Sequence, residues 1–241
     1  MHIKKVYKFR NAIEIEEYKP GRYGGPGKRR RSKKESSTEW MKKTNQRNRA
    51  KKARHRLRKY FDVNDYLVTL TYAVRQRPPD MEAAKKDFSK FTRRIRKEYR
   101  KRGCELKWIR NIEVGTRNAW HIHMVVNRIP DADVIITKAW EHGGVNFKLL
   151  HEKGEFADLA EYMTKTPDTD PRLKEASFSA SKNIPLPEPV KKLRKTWKKK
   201  VYVPKGYCLD QNSFWEGINR LTGQRYRRYT LLRLQREVRR G

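Results

Sequence analysis

The sequence predicts an α+β fold: an antiparallel or mixed sheet of about five strands with helices on one face. Three observations predict it. Between residues 61 and 167, β-branched and aromatic runs alternate with amphipathic stretches in the order β-α-β-β-α-β-α. Two of the runs are separated only by a tight turn, Gly115 to Ala119, which makes them a hairpin and therefore antiparallel. The longest amphipathic stretch has a single apolar stripe, Met81, Ala84, Phe88, Phe91, Ile95 and Tyr99, so it covers the sheet from one side.

The elements follow in order. Residues 1–60 read as a basic N-terminal strand, arm and helix. Ala12 to Tyr18 alternates like a strand, and Pro20 to Ser37 has the Gly, Pro, Lys and Arg of a loose arm. A helix over 38–60 has N-cap candidates in Ser36, Ser37 and Thr38, and Glu39 near the positive end of its dipole. Its apolar stripe is thin (Trp40, Ala50, Ala53, Leu57, Tyr60), so most of it is either solvated or laid on phosphates.

Residues 61–167 are the core. Tyr66 to Tyr72 is the first strand, and Asp80 caps the helix that ends at Gly103. Residues 105–114 and 120–127 are the hairpin strands. A helix over Asp133 to Glu141, a strand over Val145 to Leu150 and a helix over 155–166, stopped by Pro167, complete the order. Residues 168–200 read as a basic Pro/Ser/Lys connector. Residues 201–241 read as a small β-rich extension, with strands at Val201 to Val203 and Tyr226 to Leu232 and a basic tail from 233.

Composition narrows the function. Lys and Arg number 61 against 27 Asp and Glu, a formal charge of +34, well beyond what solubility needs. Such an imbalance repels itself, so a polyanion is the expected partner, nucleic acid first and an anionic membrane surface second. No apolar run is long enough to cross a bilayer, and no signal peptide is visible. Cys104 and Cys208 lie far apart without CxxC spacing, which excludes a zinc ribbon or disulfide framework and fits a cytoplasmic setting. The glycine-rich stretch Gly21 to Arg30 lacks phosphate-loop spacing, so no ATPase or helicase module is expected.

The chemistry centres on Trp120-His121-Ile122-His123-Met124. Strand residues alternate faces, so His121 and His123 point the same way. The partner hairpin strand ends in Ile112-Glu113-Val114, which brings a carboxylate beside them. Two imidazoles and a carboxylate with open positions suit Mg2+ or Mn2+ acting on a phosphate. An isolated pair of this kind more often simply packs. Tyr162 and Lys165, three apart on a short helix, should be neighbours on one face. A lysine there can favour the phenolate or stabilise charge on an attacked phosphate. Arg93, Arg96 and Arg100, in a crowded basic stretch of the long helix, are candidates for phosphate contact, and Trp108, Trp120 and Tyr72 for base stacking.

These pieces together resemble the HUH endonucleases, the superfamily of relaxases and rolling-circle replication initiators. Leu67 to Tyr72, His121-Ile122-His123 and Tyr162 to Lys165 match its three motifs in order. Closer still is a group around a filamentous-phage replication initiator domain, which Asn45 to Leu57, Trp140-Glu141-His142-Gly143 and Ser177 to Pro187 also match in general pattern. The resemblance spans roughly residues 38–232. It implies a HUH-like core with His121, His123 and Glu113 as metal ligands, Thr69 and Thr71 in the DNA-contacting first motif, Tyr162 as nucleophile and Lys165 assisting. The implied substrate is single-stranded or hairpin DNA at a replication origin in the cytoplasm of a bacterial host, with host helicase and polymerase as further partners. Only Tyr162 is offered on its helix, so the sequence departs from relatives with two tyrosines. The alternatives are a single-tyrosine transposase or relaxase, and a non-catalytic nucleic-acid-binding protein whose histidines are structural.

Overall fold

The computed structural model describes residues 1–20, 39–150, 156–165, 178–220 and 222–234. The N-cap candidates at 36–38, all but the first residue of the basic arm, and the tail beyond Leu234 lie outside them. The chain packs as two units, Met41–Leu186 and Met1–Trp40 with Pro187–Gly241. The class is α+β, with two five-stranded antiparallel sheets and four α-helices among the described residues. None of those helices is long and apolar enough to cross a membrane.

In the first unit, α1 (Glu39–Tyr60) precedes β3 (Tyr66–Thr71), α2 (Met81–Lys101), β4 (Trp108–Gly115), β5 (Ala119–Val126), α3 (Ala132–Ala139), β6 (Val145–Leu149) and α4 (Ala157–Thr164). A short strand, β7 (Phe178–Ala180), completes a sheet of order β6-β3-β5-β4-β7. The expected order of the core holds from β3 to α4.

Local chemistry fixes the ends. Asp80 caps α2 by accepting a hydrogen bond from the Ala83 amide at 2.8 Å. Gly103, with φ of +67°, ends it in the left-handed conformation glycine permits. Arg117 and Asn118, both at φ of 58°, make the reversal that pairs β4 with β5.

Side-chain alternation sorts the sheet into two apolar faces. Val68, Leu70, Ile112, Ile122, Met124 and Val126 pack against the stripe of α2 and against Ile135 and Ile136 of α3. Leu67, Ile109 and Val125, on the other face, pack against Ala53 and Leu57 of α1 and Leu159, Ala160 and Met163 of α4. The expectation of helices on one face therefore changes: α1 and α4 cover one end of the second face. The thin stripe of α1 is what allows this, because Ala50, Ala53 and Leu57 are buried while its remaining surface is mostly charged.

The second unit is the sheet β8-β1-β2-β10-β9, formed by β1 (His2–Lys8), β2 (Ala12–Tyr18), β8 (Val190–Arg194), β9 (Tyr207–Asn219) and β10 (Gln224–Arg233). It joins the N-terminal strand to the C-terminal extension through the β2–β10 pairing. Ile15, Tyr229 and Leu231 form its small core. Arg227, 2% exposed, pairs with Glu17 and donates to the Lys198 carbonyl at 2.9 Å, which ties the incoming segment to the sheet.

Two expectations change here. Val201 to Val203 is not a strand, and the stretch expected as a connector contributes β7 and β8. Every residue of β8 is exposed, so no hydrophobic alternation marks it in the sequence.

Candidate active site

The register of the first sheet gathers the site. Glu113 stands opposite His121, and Asn111 opposite His123, across β4 and β5. Thr71 and Thr69 of β3 stand opposite the same two histidines from the other side. Residues paired across antiparallel strands share a face, so six side chains from three strands meet at the end of the sheet that α1 and α4 leave uncovered. The end of β3 is held there by the Trp140–Gly144 segment. Trp140 Nε1 donates to the Thr71 carbonyl at 3.0 Å, and a Cβ on Gly143 would lie 2.4 Å from that same oxygen. Only glycine allows this approach.

His123 is the hub. Its Nδ1 lies 3.2 Å from Thr69 Oγ1, its Nε2 lies 3.0 Å from the Tyr162 hydroxyl, and the same Nε2 lies 3.4 Å from Glu113 Oε2. With the proton on Nδ1 and donated to Thr69, Nε2 accepts from Tyr162 and faces the carboxylate as a lone pair. Two acceptors so close call for a proton or a cation between them. The His121 ring stacks beside His123 at 6.3 Å between centroids. Burial, the His123 charge and Arg77 hold the His121 imidazole below its ordinary pKa, against an opposing pull from Glu113.

These donors fit a divalent ion. Ligand atoms bound at about 2.1 Å stand roughly 3 Å from one another, near the spacing of Glu113 Oε2 and His123 Nε2. Among the described residues, no three His, Cys, Asp or Glu side chains already close around a common centre. His121 stands a ring-stack away, and Tyr162 occupies the His123 nitrogen.

Tyr162, on α4, is 40% exposed. Burial of the rest of the ring, reinforced by Glu113, pushes its phenol up to about 12, so it is neutral at physiological pH. The structure does not bring Lys165 to it as a helical neighbour. α4 ends at Thr164, and Lys165 is its C-cap with extended backbone, ψ of 123°. Thr164 Oγ1 turns back onto the Ala160 carbonyl at 2.8 Å, closing the helix one residue early.

The carbonyl of Lys165 is the group with a bonded partner at the site, Asn111. That residue was not expected from the sequence. It is 1% exposed, and its Nδ2 donates to Glu113 Oε1 at 2.9 Å and to the Lys165 carbonyl at 3.5 Å. The signal was available, because Asn111 precedes Glu113 by two on a strand and so shares its face.

The other expected contacts divide. Thr69 and Thr71 are on the site face, but their hydroxyls are engaged by His123 and by Gly144. Arg93, Arg96 and Arg100 lie on α2, across the sheet from His123, so they cannot share a phosphate with it. On the histidine side the basic helix is α1, seated beside the end of α4 by Gln46 Nε2 donating to Thr164 Oγ1 at 3.4 Å. Trp120 and Tyr72 are core residues, 0% and 6% exposed, and Trp108 packs edge-on against Phe88 at 4.9 Å. They stack on protein, not on bases.

Residues 65–167 match the family model of the replication-associated proteins of the ORF2 and gene 2 protein type, a segment under half of the chain that contains every residue of the site. That segment is a replication-initiator domain of this family. No curated protein and no solved structure matches the chain.

Proposed function

We propose, from the family of residues 65–167, that the chain nicks and rejoins single-stranded DNA at a replication origin through a tyrosine ester, starting rolling-circle replication of a phage or plasmid. The observation that carries the reading is the Tyr162 hydroxyl, 3.0 Å from the imidazole of His123 and on one face with Glu113 and His121. A nucleophile beside two imidazoles and a carboxylate, in a domain of this family, suits phosphoryl transfer.

In this reading His121, His123 and Glu113 would hold Mg2+ or Mn2+, which when bound polarises the scissile phosphate. The Tyr162 oxygen attacks phosphorus and loses its proton. The bond to the 3′ oxygen breaks and that oxygen takes up a proton, leaving a 5′-phosphotyrosine and a 3′-OH that can prime synthesis. Attack by a 3′-OH on the phosphotyrosine reverses the step and reseals the strand. Thr69 holds the His123 ring by its far nitrogen, as ligand histidines are commonly held. Lys165, at the mouth of the helix end, serves the incoming phosphate. Arg93, Arg96 and Arg100 meet DNA beyond the nick, on the other side of the sheet. The site of action is the cytoplasm of a bacterial host.

The test is covalency. Incubated with single-stranded oligonucleotides that include the cognate origin and with Mn2+, the protein should give an adduct that survives a denaturing gel. Absence of any adduct across that set overturns the enzyme reading and leaves a DNA-binding initiator domain.

Asn111 offers a second measurement. Asn111→Ala releases both the Glu113 carboxylate and the Lys165 carbonyl. It should cost about 1–2 kcal/mol in a thermal melt and slow adduct formation about tenfold. A rate equal to wild type would show that neither tether matters to the chemistry.

A further inference from the structure

Apart from Tyr162, the exposed aromatic rings among the described residues lie in the second unit. One cross-strand row of its sheet runs Gly217, Tyr226, Tyr18, Ile3, Leu193 over β9, β10, β2, β1 and β8. Paired residues share a face, and this face is opposite the one that carries Ile15, Arg227 and Tyr229. Trp215, two before Gly217, also points to it. Its indole lies against Gly217, where a Cβ would stand 3.0 Å from Cζ2 and Cη2. One side of the ring therefore rests on backbone, and the residue is 41% exposed. Tyr226 flanks it at 5.6 Å and 48°. The next row carries Arg228, Lys5 and Lys191 beside Trp215, and the Lys5 ammonium sits 5.0 Å from the Tyr18 ring. The one carboxylate in that row, Glu16, accepts from the Tyr226 hydroxyl at 3.0 Å.

We propose that this face binds an unpaired DNA strand, with bases stacked on Trp215 and Tyr18 and phosphates met by Lys5, Lys191 and Arg228. The occupant follows from the chemistry. Flat rings with a free face accept any base, and cations interleaved among them match a phosphate backbone. An apolar protein partner would leave three cations in that row to be desolvated. The net charge of +34 adds a long-range attraction of the same sign. The assignment stands apart from the tyrosine chemistry, since no residue of it lies in the matched segment.

The experiment uses the full chain carrying Tyr162→Phe, so that no covalent product forms, with a fluorescein-labelled oligo-dT in EDTA. Trp215→Ala should weaken binding about tenfold, and Trp215→Phe, which keeps a ring, should recover most of it. Gly217→Ala, which displaces the indole without removing it, should weaken binding in the same direction. Lys5→Ala with Lys191→Ala should flatten the salt dependence. Ultraviolet cross-linking to bromodeoxyuridine should map to Trp215 or Tyr18. Binding unchanged within twofold in Trp215→Ala, with no cross-link on either ring, overturns the proposal. So does an equal loss for duplex DNA, which would make the face a patch of charge alone. A change of sedimentation from dimer to monomer in Trp215→Ala, with DNA affinity intact, would assign the face to self-association instead. Melting temperatures of each variant separate these outcomes from a failure to fold.

Discussion

Tyr162→Phe is expected to abolish the covalent protein–DNA adduct, a loss of at least about 10³-fold, because the other hydroxyls on the site face, Thr69 and Thr71, are already engaged. The fold should not change. The ring keeps its edge contact with His123 at 5.2 Å, and the lost hydroxyl belongs to a partly exposed residue, so a shift in stability under about 1 kcal/mol is expected. The pH profile carries the same argument. With the phenol pushed up to about 12, only about one molecule in 10⁵ is phenolate at pH 7. If attack requires the phenolate, the single-turnover rate should rise about tenfold per pH unit over the neutral range. Burial and Glu113 both raise the pKa, so a positive charge bound beside Glu113 acts in the opposite sense and moves the profile to lower pH. An adduct that persists in Tyr162→Phe would assign the nucleophile to another residue.

The parts of the site that were legible in the sequence are those set by strand periodicity. His121, His123 and Glu113 obey a period of two, and a short hairpin leaves little choice of register, so their convergence follows from the chain itself. The core helix α2 was legible for the same kind of reason, a continuous stripe with a capping aspartate. What was not legible depends on tertiary placement or on a single terminal hydrogen bond. Lys165 looked helical because three residues separate it from Tyr162, but Thr164 bonds backward and Asn111 takes the next carbonyl, so the helix stops between them. The basic stretch of α2 looked like the DNA surface, yet the stripe that buries this helix sets it against the face away from the histidines. α1, with a hydrophobic stripe too thin to orient it from sequence, takes the histidine side. β1 and β8 escape notice because their pairing is remote along the chain and β8 buries nothing.

Mn2+ binding, followed by electron paramagnetic resonance, should be lost in His121→Ala with His123→Ala and fall at least about tenfold in either single variant. This readout needs no DNA and no turnover. The less obvious expectation concerns Tyr162. His123 Nε2 can bond to the Tyr162 hydroxyl or bind an ion, whichever ring nitrogen carries the proton, but it cannot do both. Ion binding must therefore break a hydrogen bond worth about 0.5–1.5 kcal/mol. Tyr162→Phe removes that competitor, so its affinity for Mn2+ should exceed that of the wild type by about 2- to 10-fold, even though it makes no adduct. The same competition frees the hydroxyl at the moment the site is loaded, which links the presence of the ion to the availability of the nucleophile. Glu113→Gln separates this from a general electrostatic effect. It removes the charge that faces Nε2 at 3.4 Å and should weaken Mn2+ while leaving the Tyr162–His123 bond in place. If Tyr162→Phe bound Mn2+ no more tightly than wild type, the hydroxyl would not be competing for His123, and the ion would have to be sought on other atoms of the site.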